Sequence, residues 1–131
     1  MKVKCLDDSG GGVEYVKQGE IYIVYAMFVG DGELSYLLSN PKEVRDLPRD
    51  HSADMFEVLD SLLPPFWYFN LVGEEQSVER RDSLRIIWGY KEMALDPNHY
   101  VDLVEREPEA LAIFARRKEE IDEYEELRIS K

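Results

Sequence analysis

The chain has 131 residues, of which 28 are acidic and 16 are basic, so its formal net charge is −12. A protein with this charge repels polyanions, and we therefore expect no binding to nucleic acid or to an anionic membrane surface. No run of about 18 apolar residues is present, and acidic residues follow the N-terminus before any apolar stretch of signal-peptide length, so we predict a cytoplasmic protein without a transmembrane helix.

The first elements of the chain are β-strands. Polar and apolar residues alternate over residues 2–6, which predicts an edge or half-buried strand. A glycine-rich hairpin loop is predicted at residues 7–12. The longest β-prone run covers residues 17–29, and we interpret it as one strand that organises the first half of the chain. Gly30-Asp31-Gly32 then predicts a hairpin turn into a strand at residues 33–40.

A polar segment follows this hairpin. Residues 41–54 contain Pro41 and Pro48, and we predict that they form a crossing loop that carries His51. Within that loop, residues 52–54 suit a tight turn or one turn of 3₁₀ helix. Alternation then predicts a closing strand at residues 55–60.

Three segments of this half share a family pattern. They are, in chain order, Val16-Lys17-Gln18-Gly19-Glu20-Ile21-Tyr22-Ile23-Val24, Leu34-Ser35-Tyr36-Leu37-Leu38 and Met55-Phe56-Glu57-Val58. This order resembles small bacterial SH3-like β-barrel modules. The resemblance implies a barrel over residues 1–60. A ligand- or peptide-binding groove in that barrel is one possible function, and it predicts exposed aromatic side chains among Tyr15, Tyr22, Tyr25 and Tyr36.

The second half, residues 61–131, starts at the only clear boundary, Pro64-Pro65. Residues 66–72 are apolar at nearly every position, which indicates a strand buried on both faces and, as a second interpretation, an exposed partner surface. A further strand at residues 84–90 is placed to pair with it as a second hairpin.

Two helices are predicted at the C-terminus. Asp96-Pro97-Asn98 is typical of a helix start, with Asp96 as the N-cap and Pro97 at the first helical position. A second helix begins at Glu107-Pro108 and reaches about Glu125. We therefore predict an α+β protein: a small SH3-like antiparallel barrel, a β-hairpin and two C-terminal α-helices packed as one unit. The residues of the second helix expected to face the core are Ala110, Leu111, Phe114, Ile121 and Tyr124.

The sequence contains no catalytic or metal-binding signature. Cys5 cannot form an internal disulfide, and a buried thiol is the favoured interpretation, although it could meet His51 or His99 in a small enzyme. His99, Asp102 and Glu105 are spaced to share one helix face, but paired Cys or His ligands with zinc spacing are missing. We predict a solvated polar face there, no metal, no cofactor and no catalytic residue.

The strongest local signal is acidic. Residues 119–126 include six acids in eight positions, close to a helix C-terminus where the helix dipole favours cations. Arg116 and Lys118 are placed to offset part of this charge by pairing with Glu120 and Asp122. A solvated helix end is one interpretation of this pattern, and a surface that a basic partner neutralises is the other.

We predict that the second interpretation is correct. The expected contact face consists of Glu119, Glu120, Asp122, Glu123 and Tyr124. A competing acidic patch on barrel loops consists of Asp7, Asp8, Asp31 and Glu33.

A second resemblance concerns the C-terminal half. It rests on Ile87-Trp88-Gly89-Tyr90, on Asp96-Pro97-Asn98-His99-Tyr100 and on Leu103-Val104-Glu105-Arg106-Glu107-Pro108-Glu109-Ala110. Together with the small size and the acidity, these segments resemble immunity proteins of interbacterial toxin systems. The resemblance implies a monomer or weak homodimer that binds a basic partner, a toxin domain, and occludes its cleft.

Overall fold

The computed structural model describes residues 1–7, 15–40, 47–72 and 85–129. Its fold is α+β, as predicted, and it consists of two antiparallel sheets and C-terminal helices. The glycine-rich loop predicted at residues 7–12 lies mostly outside the described residues. The strands are Lys2–Cys5 (β1), Ile21–Ile23 (β2), Ala26–Gly30 (β3), Glu33–Leu38 (β4), Arg49–Ser52 (β5), Phe56–Asp60 (β6), Tyr68–Val72 (β7) and Arg85–Gly89 (β8). The helices are Lys91–Leu95 (α1), His99–Val104 (α2) and Pro108–Ile129 (α3), and Ala53–Met55 forms one 3₁₀ turn.

The described strands form two separate sheets that do not close into a barrel. One has the order β2-β1-β6 and the other the order β5-β4-β3-β8-β7. β1 pairs with β2 on one side and with β6 on the other, so it is not an edge strand, and its alternating burial confirms the other expectation, a half-buried strand. The larger sheet combines strands from both sides of residue 60, since β8 pairs with β3.

The single strand predicted over residues 17–29 is wrong, because it is divided between the sheets. Its first part is β2 and its second part is β3. Between them, the amide of Val24 donates to the Met1 carbonyl at 3.1 Å, whereas the amide of Tyr25 donates to the Leu37 carbonyl at 2.9 Å. The chain therefore passes from one sheet to the other at two consecutive buried residues.

The hairpin between β3 and β4 is confirmed. Asp31 and Gly32 have φ values of 53° and 75°, and Gly30 pairs with Glu33. Two consecutive left-handed residues match the two-residue turn whose twist suits an antiparallel hairpin. The 3₁₀ turn near residue 53 and the closing strand β6 are also confirmed.

The loop predicted over residues 41–54 is wrong where β5 forms. His51 lies in this strand opposite Tyr36 of β4, and most of the strand's side chains are exposed. Because an edge strand needs only one partner, Arg49–Ser52 can pair despite a polar composition that predicts a loop.

The predicted hairpin of β7 and β8 is confirmed, but the burial expected for residues 66–72 is wrong. Phe69 and Leu71 are each 54% exposed. Both side chains lie on the face of the larger sheet that contacts the smaller sheet. That contact covers β3 and β4 but does not extend to β7. β7 is the edge strand furthest from that contact, so its apolar side chains on this face remain exposed.

Two buried clusters form the core. One lies between the sheets and includes Val3, Cys5 and Phe56, which confirms the prediction of a buried thiol. The other lies between the larger sheet and the helices and includes Leu37 and Phe114.

The first part of the helical region differs from the prediction. α1 was not predicted, and α2 begins at His99, because the Asp96 carboxylate accepts the Asn98 amide at 3.0 Å in a turn before the helix. α3 begins at Pro108 as predicted and continues past Glu125. Among the described helices, none is both long enough and apolar enough to cross a membrane.

Candidate functional site

The acidic face of α3 is defined by the face that the helix buries. Ala110, Phe114 and Ile121 are buried against the core beneath the helices, and Leu111 and Tyr124 are half-buried, which confirms the predicted inner face. Glu125 is also buried, and its carboxylate accepts the N-terminal ammonium of Met1. These contacts set which side chains of α3 point outward.

The basic residues of α3 are bound within the molecule. The Arg117 guanidinium donates to both carboxylate oxygens of Glu92 at 2.7 and 2.8 Å, and it thereby ties α3 to α1. This pairing lowers the pKa of Glu92 to about 2, and the hydrogen bonds to Glu92 raise the pKa of Arg117. The guanidinium of Arg128 pairs with Asp60 at 2.5 Å and with Glu125 at 3.3 Å.

One of the two predicted pairs on α3 is confirmed. Lys118 bonds Asp122 at 2.8 Å, one turn further along the helix. The pair of Arg116 and Glu120 is wrong: Arg116 approaches Glu92 at 3.6 Å, and Glu120 instead accepts from Arg117 at 3.0 Å.

The outer face of α3 therefore carries a group of exposed acids. We define it as Glu119, Glu120, Glu123 and Glu126, all of which are exposed. Within the described part of the chain, Glu119 and Glu123 have no ion-pair partner, and they are one turn apart. This pair is the least compensated part of the predicted contact face.

The other two residues of the predicted contact face are turned toward the fold. Asp122 is half-buried and also accepts the Tyr25 hydroxyl at 2.5 Å. Tyr124 packs edge-on against Phe66, with ring centroids 5.9 Å apart, and the Arg128 guanidinium lies over its ring. The structure thus separates the predicted face into three outward carboxylates and two flanking side chains.

The competing acidic patch is divided. Asp7 is exposed just after β1, and Asp8 lies outside the described residues. Asp31 and Glu33 lie at the β3–β4 turn, where they line a cavity of about 790 Å³. Asp50 and Asp96 also line this cavity; sequence reasoning did not select them, because only the pairing of β5 and the packing of α1 bring them there.

The histidines are in packed environments. His99 is 2% exposed, and its Nε2 lies 2.7 Å from the Tyr90 hydroxyl, so it is not part of the solvated face predicted with Asp102 and Glu105. His51 is half-buried and stacks on Tyr15 with ring centroids 5.3 Å apart. Burial lowers the pKa of both imidazoles. Among the described residues, no three Cys, His, Asp or Glu side chains are grouped to hold a metal ion.

The aromatic groove implied by the SH3-like resemblance is not formed by the residues expected to line it. Tyr15, Tyr22, Tyr25 and Tyr36 are all buried in the two core clusters. Comparison of the chain with protein-family models, with curated proteins and with solved structures finds no match.

Proposed function

We propose that this chain is a protein-binding inhibitor of the immunity type, which captures a basic partner, a toxin domain, and occludes its cleft. The observation that carries the proposal is the outer face of α3, where Glu119 and Glu123 are exposed and have no ion-pair partner among the described residues. The net charge of −12 adds a long-range attraction for a cationic protein.

The energetics of α3 support this function. Like charges at i,i+4, such as Glu119 and Glu123, destabilise a helix by about 0.2–0.5 kcal/mol. The neighbouring cations Arg117 and Lys118 bind Glu92, Glu120 and Asp122, so neither pairs with Glu119 or Glu123. A basic partner would remove this repulsion on binding.

Occlusion follows from the chemistry of such a partner. A toxin that acts on an anionic substrate has a basic cleft, and outward carboxylates would occupy it in place of that substrate. Electrostatic steering would make association fast at low salt, and salt would slow it because the Debye length is only about 10 Å at 0.1 M.

The test compares two doubly reversed variants of equal net charge. Glu119→Lys/Glu123→Lys changes the outer face, and Asp54→Lys/Glu57→Lys changes two exposed residues near the smaller sheet. The immobilised chain is used to capture a basic protein at low salt, and the two variants are then compared for affinity and for protection of cells that express that protein.

We expect the first variant to lose affinity at least tenfold and to lose protection, and the second to change little. Equal loss in both would mean that only net charge matters at these sites. No loss in either, or capture of an anionic target, would overturn the proposal.

Two finer predictions remain part of this proposal. One is that residues 1–60 are an SH3-like barrel module, and the other is that residues 61–131, a hairpin and a two-helix extension, pack on it as one unit. The alternative function of a peptide-binding barrel has less support, since the tyrosines expected in its groove are buried.

A further inference from the structure

The cavity beside the β3–β4 turn has a chemistry of its own. It opens on the face of the larger sheet that α1 and α2 cover only in part, and its volume is about 790 Å³. Phe28 and Ile87 lie side by side on that face, since they pair in the β3–β8 register. Tyr100 of α2 and Leu95 of α1 form the opposite wall.

An aromatic pair lines this cavity. The rings of Phe28 and Tyr100 are tilted by 58°, with centroids 5.2 Å apart. Burial and the negative charge of the Asp50 carboxylate raise the pKa of Tyr100 to about 12. The Tyr100 hydroxyl is therefore neutral at physiological pH, and Asp50 lines the same cavity.

The charges around the aromatic pair are unbalanced. Among the described residues that line the cavity, Arg85 is the only cation, and its aliphatic stem lies 3.5 Å from the position that a Cβ on Gly30 would take. Four carboxylates face this single guanidinium. They belong to Asp31, Glu33, Asp50 and Asp96.

We propose that this cavity binds one arginine or lysine side chain of the basic partner. A cation is attracted to the faces of aromatic rings and to carboxylates, and both surround this space. An anion would meet four carboxylates and a single guanidinium. The source of the side chain rests on the proposed function, whereas the preference of the cavity for a cation does not.

The cavity is tested first with a small probe. N-acetyl-L-arginine methylamide is titrated into the ¹⁵N-labelled full chain, and N-acetyl-L-citrulline methylamide serves as its neutral isostere. We expect saturable shifts of the Phe28 and Tyr100 amides with the arginine probe. Binding of the citrulline probe should be about tenfold weaker, which corresponds to the ~1.4 kcal/mol typical of a partly desolvated cation–π or charged contact.

Three variants locate the site. Glu33→Gln/Asp50→Asn removes two of the four carboxylates while keeping side chains of similar size, and it should weaken binding of the arginine probe about tenfold, a loss of ~1.4 kcal/mol. Glu119→Gln/Glu123→Gln removes the same charge from α3 and should leave probe binding unchanged. Arg85→Gln removes the competing cation and should tighten binding. Circular dichroism verifies that each variant is folded.

Several outcomes would overturn the inference. Equal binding of the citrulline probe would show an apolar site, and the same shifts with inorganic phosphate would show an anion site. Equal loss of probe binding in both double variants would place the probe elsewhere.

A separate assay with the captured partner tells the two proposals apart. If the cavity variant binds the partner normally while the α3 variant does not, the proposed function stands and the cavity is not part of the interface. If the partner binds both variants as tightly as it binds the parent chain, but the arginine probe still binds the cavity, the proposed function fails and the preference of the cavity for a cation stands.

Discussion

The two faces of α3 carry the same residue types in opposite roles. On the inner side, Glu125 is buried and accepts the terminal ammonium of Met1, and Arg117 holds Glu92 through two hydrogen bonds. On the outer side, Glu119 and Glu123 are exposed and have no such partner in the described residues. Successive residues of a helix are rotated by about 100° around its axis. A carboxylate near residue 120 therefore faces either the core or the solvent, depending on its position along the helix.

This difference shows why composition alone is a poor guide to the acidic surface. Six acids lie within residues 119–126, but the structure binds Glu120, Asp122 and Glu125 to neighbouring groups. Substitutions on the two faces should consequently affect different properties. Inner-face changes should alter stability, and outer-face changes should alter association with a partner.

The largest effect is expected from Glu125→Ala. Removing this carboxylate leaves the Met1 ammonium buried without its partner, and breaking a buried ion pair in this way costs about 3 kcal/mol. The free energy of unfolding, measured by urea titration, should fall by that amount. Glu123→Ala is the matched control and should change it by less than about 0.5 kcal/mol. Equal effects would mean that the two faces do not differ.

The next effect is expected from acidification, through His99, which is buried at the start of α2. Burial lowers the pKa of His99, so between its folded pKa and the ordinary value near 6.5 the unfolded chain binds a proton that the folded chain does not. Stability is thus full above pH 7 and falls as the pH decreases through 6.5 toward 5. We expect the free energy of unfolding to decrease over this window.

His99→Gln should flatten this dependence, and His51→Gln should do so as well, because burial also lowers the pKa of His51. The double variant should show almost no slope between pH 7 and pH 6, where carboxyl groups of ordinary pKa remain ionised. A slope unchanged in the double variant would assign the effect to other groups.

A smaller effect is expected from Arg117→Met, which retains the apolar stem of the side chain but removes its bidentate pair with Glu92. Since both groups are partly exposed, we expect a loss of about 1 kcal/mol at pH 7. The pKa of Glu92 is about 2 in the fold, so its stabilisation is present above pH 4.5 and is lost as the pH falls toward 2. The difference in stability between the variant and the parent chain, measured by thermal unfolding, should become smaller as the pH falls over that range.

The smallest effect on stability is expected from Glu119→Ala/Glu123→Ala. Removing two like charges at i,i+4 should leave the free energy of unfolding unchanged or raise it by about 0.2–0.5 kcal/mol. Chemical denaturation at low and high salt measures this, and the gain should disappear at high salt. A clear destabilisation would show that these carboxylates contribute to the fold and would weaken their assignment to a partner.

Much of the local structure was predictable from short patterns. The Asp31-Gly32 turn determines the β3–β4 hairpin, because both residues adopt left-handed φ values readily. Pro108 and the apolar spacing of Ala110, Phe114 and Ile121 predict where α3 begins and which face it buries. In each case the information lies within a few residues, where backbone sterics and helical period act directly.

Tertiary structure decided what those patterns leave open. The division of residues 17–29 at Val24 and Tyr25 depends on which sheet offers each backbone amide a partner. The exposure of Phe69 depends on how far the smaller sheet extends, and the cavity depends on β5 and α1 bringing Asp50 and Asp96 beside Asp31. The sequence by itself determined the charge, the turns and the amphipathic helix. Strand partners and the direction of each acid were decided only by packing, because they depend on contacts between residues far apart in the chain.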